Sequence, residues 1–415
     1  MDLATIVIAT ATIAGLYMAW NIGANDVANA MGTSVGSGAL TLRAAIIVAA
    51  VFEFGGALLV GGTVTDTIRK GIVHLDALGG DPMTLAVGMT CCLLAAAIWL
   101  HVATYFGWPV STTHSIVGAV VGFGLIGGGV DAVDWGVLGK VVASWVISPV
   151  TGGLIAFLLF TLIKRRIFNV ERPLMALRGW GPLMLFPIGA VLSLAMMFKG
   201  LKPLKLDLPL ETAIPIAIGF GLLCSIASTP WIRRATRRVD GADTEEQHRR
   251  VEKVFLVLQV ITACFVAFAH GSNDVANAVG PLSAVYGALT EGIGDKVEVP
   301  LMMLLVGAVG IVIGLATYGY KVMATIGKEI TELTPSRGFT AEFAAAMTIV
   351  AASKLGLPVS TTHTLVGSVI GVGFARSIGA INLQVVKGIV ASWFITVPFT
   401  AILAGLLYLL ARLAI

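Results

Sequence analysis

Asn25-Asp26-Val27-Ala28-Asn29-Ala30 recurs letter for letter as Asn273-Asp274-Val275-Ala276-Asn277-Ala278. Pro109-Val110-Ser111-Thr112-Thr113-His114 recurs as Pro358-Val359-Ser360-Thr361-Thr362-His363, and Ala143-Ser144-Trp145 as Ala391-Ser392-Trp393. The three matches keep one order and an offset of 248 or 249 residues, which marks an internal duplication. The spacing divides the chain into a first half, 1–163, a connecting segment, 164–253, and a second half, 254–415. The connector holds two extra apolar stretches and a basic loop.

The surroundings of these motifs are apolar. Of 415 residues 57% are hydrophobic and only 12% charged, too few charged groups to cover a soluble surface. The class is an all-α polytopic membrane protein. A net charge of +4 is too mild to suggest nucleic acid as a partner. Cys91, Cys92, Cys224 and Cys264 lie in apolar stretches without metal-ligand spacing and read as small buried hydrophobes. The N-terminus lacks a basic n-region and reads as the first membrane helix.

At about 20 apolar residues per span, candidate segments fall near 3–20, 44–62, 84–106, 113–130, 136–163, 182–198, 211–229, 254–270, 300–320, 339–353, 361–380 and 385–412. That makes about 12 membrane segments, several of them short or glycine-rich as in re-entrant or broken helices. Lys164, Arg165, Arg166, Arg172 and Arg178 form one basic cluster. A second runs from Arg233 to Lys253 with interleaved acids. Both fall on one side, which the positive-inside rule makes cytoplasmic, with both termini extracytoplasmic. The first Asn-Asp motif then ends a helix running inward and the second ends one running outward. The two halves are therefore expected to be inverted repeats, which lets one central site face either side in turn.

Asn25 and Asn29 share a helical face. Asp and Asn oxygens are hard ligands for alkali or alkaline-earth cations, so Asn25, Asp26, Asn29, Asn273, Asp274 and Asn277 are the candidate cation ligands. Hydrogen bonding across a helix interface is the plainer role for the same residues. Ser111, Thr112, Thr113, Ser360, Thr361 and Thr362 follow prolines at expected helix N-termini, where free N–H groups, hydroxyls and the helix dipole suit an oxyanion. Ordinary capping is the plainer role there. Neither motif contains Arg or Lys. A dianion beside two aspartates gathers about four negative charges, a prohibitive cost in a dry site, and two helix N-termini offset only about one. Cations must then bind together with the anion.

His114 and His363 follow the triplets and are candidates for proton exchange, against a neutral structural role. Glu53 is an intramembrane acid and a further candidate, without a clear counterpart in the second half. His270 has Ile22 in the equivalent place of the first half and reads as structural.

Taken together, the doubled motifs resemble the inorganic phosphate transporter (PiT) family of cation-coupled symporters over nearly the whole chain. Phe52-Glu53-Phe54, Asp66-Thr67-Ile68-Arg69-Lys70-Gly71 and Thr334-Pro335-Ser336-Arg337-Gly338-Phe339 also look like the family pattern. The resemblance implies import of inorganic phosphate driven by sodium or protons, in a plasma (inner) membrane. It places sodium at the Asn-Asp residues and phosphate at the Ser-Thr-Thr triplets, on hairpins. No cofactor is implied, and a homodimer is a possible assembly. The connector is short beside relatives with a large cytoplasmic loop. A sulfate symporter of the same architecture is the alternative, and an intramembrane enzyme using Asp26 and Asp274 a remoter one.

Overall fold

The computed structural model describes residues 2–63, 80–197, 208–237, 243–290, 299–354 and 359–414. The stretch 66–71 lies outside them. Among the described residues all regular structure is helical. Among these residues eight helices are long and apolar enough to cross a membrane, or nine counting a pair bent by 59°. This is a multi-pass membrane protein.

Helix α1 (Leu3–Gly36) opens on an Asp2 cap, whose carboxylate accepts from Thr5 N–H at 2.9 Å. The apolar run read as 3–20 is only its first part: the backbone continues helical through the Asn-Asp motif for 34 residues. The reason lies in its polar stripe. Asn21, Asn25, Asn29 and Thr33 recur every fourth residue on one face and are buried in protein rather than exposed to lipid. Helix α2 (Leu42–Val60) follows, then α3 (Pro82–Tyr105) and α4 (Thr112–Gly128). Within α3's apolar stretch 78% of residues are buried, against 17% to 50% in the other spans, which puts α3 in the protein interior. Helix α4 has 17 residues, about 25 Å of rise, short of the roughly 30 Å hydrocarbon thickness. The two pack together as hairpin 1, turning at Gly107, whose φ of +70° suits glycine.

Helix α5 (Trp135–Ile163) leads into the connector's α6 (Pro173–Ala195) and α7 (Leu210–Ala235), which pack chiefly on each other. Helices α8 (Thr244–Asp274) and α9 (Ala276–Thr290) are parted at Val275, inside the second Asn-Asp motif. Pro281 lacks the N–H that would close on the Asn277 carbonyl. Then come α10 (Leu301–Thr317), the short α11 (Tyr320–Ala324) beyond the bend, α12 (Pro335–Lys354) and α13 (Thr361–Arg376), which form hairpin 2, and α14 (Leu383–Ala414).

Helix contacts come in matched couples. Helix α1 lies on α10 as α8 lies on α2, and α4 lies on α14 as α13 lies on α5. At the first couple the backbones almost touch. A Cβ on Gly23 would strike the Ile311 carbonyl, and one on Gly271 the Glu53 carbonyl. Each hairpin therefore packs on the opposite half, which brings both hairpin tips to α1 and α8.

Candidate functional site

The four motifs meet. Asp26 and Asp274 are buried, from the middle of α1 and the end of α8. Each carboxylate takes a bond from the asparagine three residues on. Asn29 Nδ2 donates to Asp26 Oδ1 at 3.0 Å, and Asn277 Nδ2 to Asp274 Oδ1 at 3.2 Å. Both asparagines also reach across to the other half's hairpin. Asn29 donates to Thr362 Oγ1 at 2.8 Å. Asn277 donates to Thr112 Oγ1 at 3.2 Å and Thr113 Oγ1 at 3.3 Å. Thr362 Oγ1 lies 3.3 Å from Asp26 Oδ1 and 3.2 Å from the Val110 carbonyl, so the hairpin tips touch as well.

Ser111 and Ser360 serve as helix caps, accepting from His114 N–H and His363 N–H at 3.2 Å each. Of the threonines that follow, Thr362 meets Asp26, Thr112 and Thr113 meet Asn277, and Thr361 lines a pocket with Asn29 and His270. His114 and His363 meet edge to face between the hairpins, with ring centroids 4.9 Å apart. His363 also stacks on Trp393 at 3.8 Å, while Trp393 Nε1 donates to the Pro109 carbonyl at 3.0 Å. Neither imidazole uses its Nδ1 in a hydrogen bond.

Asn25 and Asn273 differ in their bonding. Asn25 Nδ2 donates to Thr104 Oγ1 and to the Trp108 carbonyl, both at 3.0 Å, and its Oδ1 accepts from Val110 N–H at 3.2 Å. All its bonds go to hairpin 1. Asn273 Nδ2 donates to Asp274 Oδ1 at 2.9 Å.

His270, expected to be structural, lies among three carboxylates. Its Nε2 lies 3.0 Å from Asp274 Oδ2 and 3.5 Å from Asp26 Oδ2, and its Nδ1 lies 3.3 Å from Glu53 Oε1. Ligand atoms of Asp26, His270 and Asp274 lie within 4.8 Å of one another, close enough to share a cation. Glu53, without a counterpart in sequence, finds its partner here. Glu342 escaped the sequence reading altogether. It is buried and accepts from Thr33 at 2.5 Å, Ser34 at 2.9 Å, Thr262 at 2.5 Å and Gln259 at 3.4 Å. The one available signal was an acid inside an otherwise uncharged apolar helix stretch.

A sequence model of the phosphate transporter family matches residues 22–404, nearly the whole chain. The chain belongs to that family. The transporter is 48% identical over 419 residues to "Inorganic phosphate transporter 2-1, chloroplastic" of Arabidopsis thaliana, covering 94% of its own length and 70% of that relative. A solved structure, "The sodium-dependent phosphate transporter", superposes on it with a TM-score of 0.87 at 41% identity, covering 99% of this chain and 100% of that one. The family and these relatives are transporters, and the transporter described here is not an enzyme.

Proposed function

We propose that the chain is a secondary active symporter that imports inorganic phosphate with sodium by alternating access, with a proton as the alternative coupling ion. The observation that carries this reading is the meeting of both Asn-Asp motifs with both Ser-Thr-Thr tips, although neither motif has a basic residue. Asp26, Asn29, Asp274 and Asn277 would hold cations, with Asn25 and Asn273 flanking the carboxylates. Thr112, Thr113, Thr361 and Thr362 would hold phosphate, at helix starts fixed by Ser111 and Ser360. The dianion is tolerable there only with the aspartates neutralised, and so cation and phosphate enter and leave together. The solved relative's printed sodium dependence supports sodium as the partner ion.

The matched helix couples support two inverted repeats, 1–163 and 254–415, joined by 164–253. Exchanging the halves maps α1, α2, α3, α4 and α5 onto α8, α10, α12, α13 and α14. The basic clusters support extracytoplasmic termini, and a plasma-membrane setting comes with the symporter reading. Uptake of labelled phosphate into proteoliposomes is the test. A sodium gradient should drive accumulation, and a pH series with competing sulfate separates the substrates. Uptake that ignores both sodium and proton gradients refutes symport, and inhibition by sulfate without inhibition by phosphate refutes the substrate.

A further inference from the structure

The first asparagine of each Asn-Asp motif occupies the same place in sequence but a different bonding state. Asn25 spends its donors and its acceptor on the hairpin-1 turn, bonding Thr104, Trp108 and Val110 together. Val359 is the counterpart of Val110. Among the described residues its N–H makes no bond to Asn273, whose amide turns to Asp274 instead. The turn that Asn25 grips is also a wall. Gly107 and Trp108 face a cavity of about 420 Å³, lined further by Thr325, Glu329, Asn382 and Gln384. Lys321 Nζ braces the start of the same turn, donating to the Tyr105 carbonyl at 3.3 Å. The hairpin-1 turn thus separates this polar cavity from the aspartates, and Asn25 holds it shut from the ion side. An asparagine whose carbonyl already accepts a backbone N–H has less capacity left for a cation.

We propose that Asn25 is a positioning residue, a latch that closes hairpin 1 over the ion site. This rests on the symport reading above. In the orientation given there, the Asn25 latch seals the cytoplasmic side. Breaking it frees the turn and joins the cavity to the site.

The test reads the latch without relying on transport. Val110 is fully buried, so Val110→Cys reports opening of the turn. In inside-out vesicles it is exposed to a membrane-impermeant thiol reagent. Modification is measured by mass spectrometry on the peptide carrying residue 110, which leaves the native cysteines out of the readout. Adding Asn25→Ala should raise the modification rate roughly tenfold, the scale of a lost buried hydrogen-bond set. Thr104→Val leaves the motif intact, removes one acceptor and should raise the rate about threefold. In uptake, Asn25→Ala should lower the maximal rate while the half-saturating sodium concentration stays within about twofold. Unchanged modification in both Asn25→Ala and Thr104→Val overturns the latch. So does a shift of about tenfold in half-saturating sodium at normal maximal rate for Asn25→Ala. Failure of the symport reading would show separately, as wild-type uptake indifferent to sodium and protons.

Discussion

Where α1 crosses α10, Gly23 sits against the Ile311 carbonyl and Ile22 is the residue before it; where α8 crosses α2, Gly271 sits against the Glu53 carbonyl and His270 is the residue before it. One crossing is closed by two buried isoleucines and the other by an imidazole and a carboxylate 3.3 Å apart. The shared motifs explain a site with two equivalent aspartates. The unshared pair explains why the two sides of that site are not equivalent, since His270 leans on both aspartates from α8 alone. A duplicated sequence can thus keep its paired carboxylates in common and place its differences immediately beside them.

The largest effects should fall on what the halves share. Asp26→Asn and Asp274→Asn should each reduce phosphate uptake by on the order of 100-fold, since each removes a charge that the proposed co-transported cations would meet. Size-exclusion elution should stay normal. If one of the two transports near the wild-type level, the halves do not share the site.

The His270–Glu53 pair comes next. His270→Ile leaves Glu53 buried without its imidazole and should cost about 3–5 kcal/mol of stability, as should Glu53→Ile for His270. The double variant copies the Ile22 and Ile311 of the α1–α10 crossing and should recover most of that loss. A thermal-unfolding cycle measures it. Losses that simply add would show that the two residues are not a pair.

The crossings themselves are matched, and a methyl group tests the match. Gly23→Ala and Gly271→Ala both drive a Cβ into a backbone carbonyl. Each should cost about 1–3 kcal/mol by forcing helices apart. Thermal midpoints that fall by similar amounts support equivalent crossings, and a drop in one alone breaks the comparison.

The smallest effect concerns the entrance to hairpin 1. Asp81 caps α3, accepting from Thr84 Oγ1 at 2.8 Å and from Thr84 N–H at 3.0 Å. Hydrogen bonds from Thr84 hold its carboxyl below the usual carboxylate range. Asp81→Ala should cost about 1 kcal/mol. Because the folded-state pKa is depressed, the cap's contribution is present above the unfolded value and is lost as pH falls through the folded one. The gap in midpoint between variant and wild type should therefore close in acid. A gap that persists at low pH would remove the charge from the cap's role.

Much of this architecture was legible in the sequence because identical polar hexapeptides stand out against an apolar background. The membrane class, the paired motifs and their meeting place all follow from that contrast. Helix lengths did not. Asn21, Asn25 and Asp26 end a hydropathy run near residue 20, yet α1 continues to Gly36 because protein, not lipid, surrounds those side chains. Counting by hydropathy also treats α4 as a span, when 17 residues make it one arm of a hairpin. His270 and Glu53 were each set apart for lacking a counterpart. Comparing halves position by position cannot reveal that two unmatched residues match each other across α2 and α8. Glu342 was hidden for a related reason: its donors come from α1 and α8, up to 309 residues away in sequence.

The central claim is that phosphate and its co-cations bind as one unit between the two aspartates. Calorimetric titration of the purified protein with inorganic phosphate, across a matrix of sodium concentration and pH, tests it most directly. Phosphate affinity should rise at least about 100-fold from sodium-free to sodium-saturated buffer, and by linkage phosphate should tighten sodium binding by the same factor. If protons are the coupling ion, the rise follows pH instead. Phosphate binding of equal affinity at every sodium concentration and every pH would contradict the account.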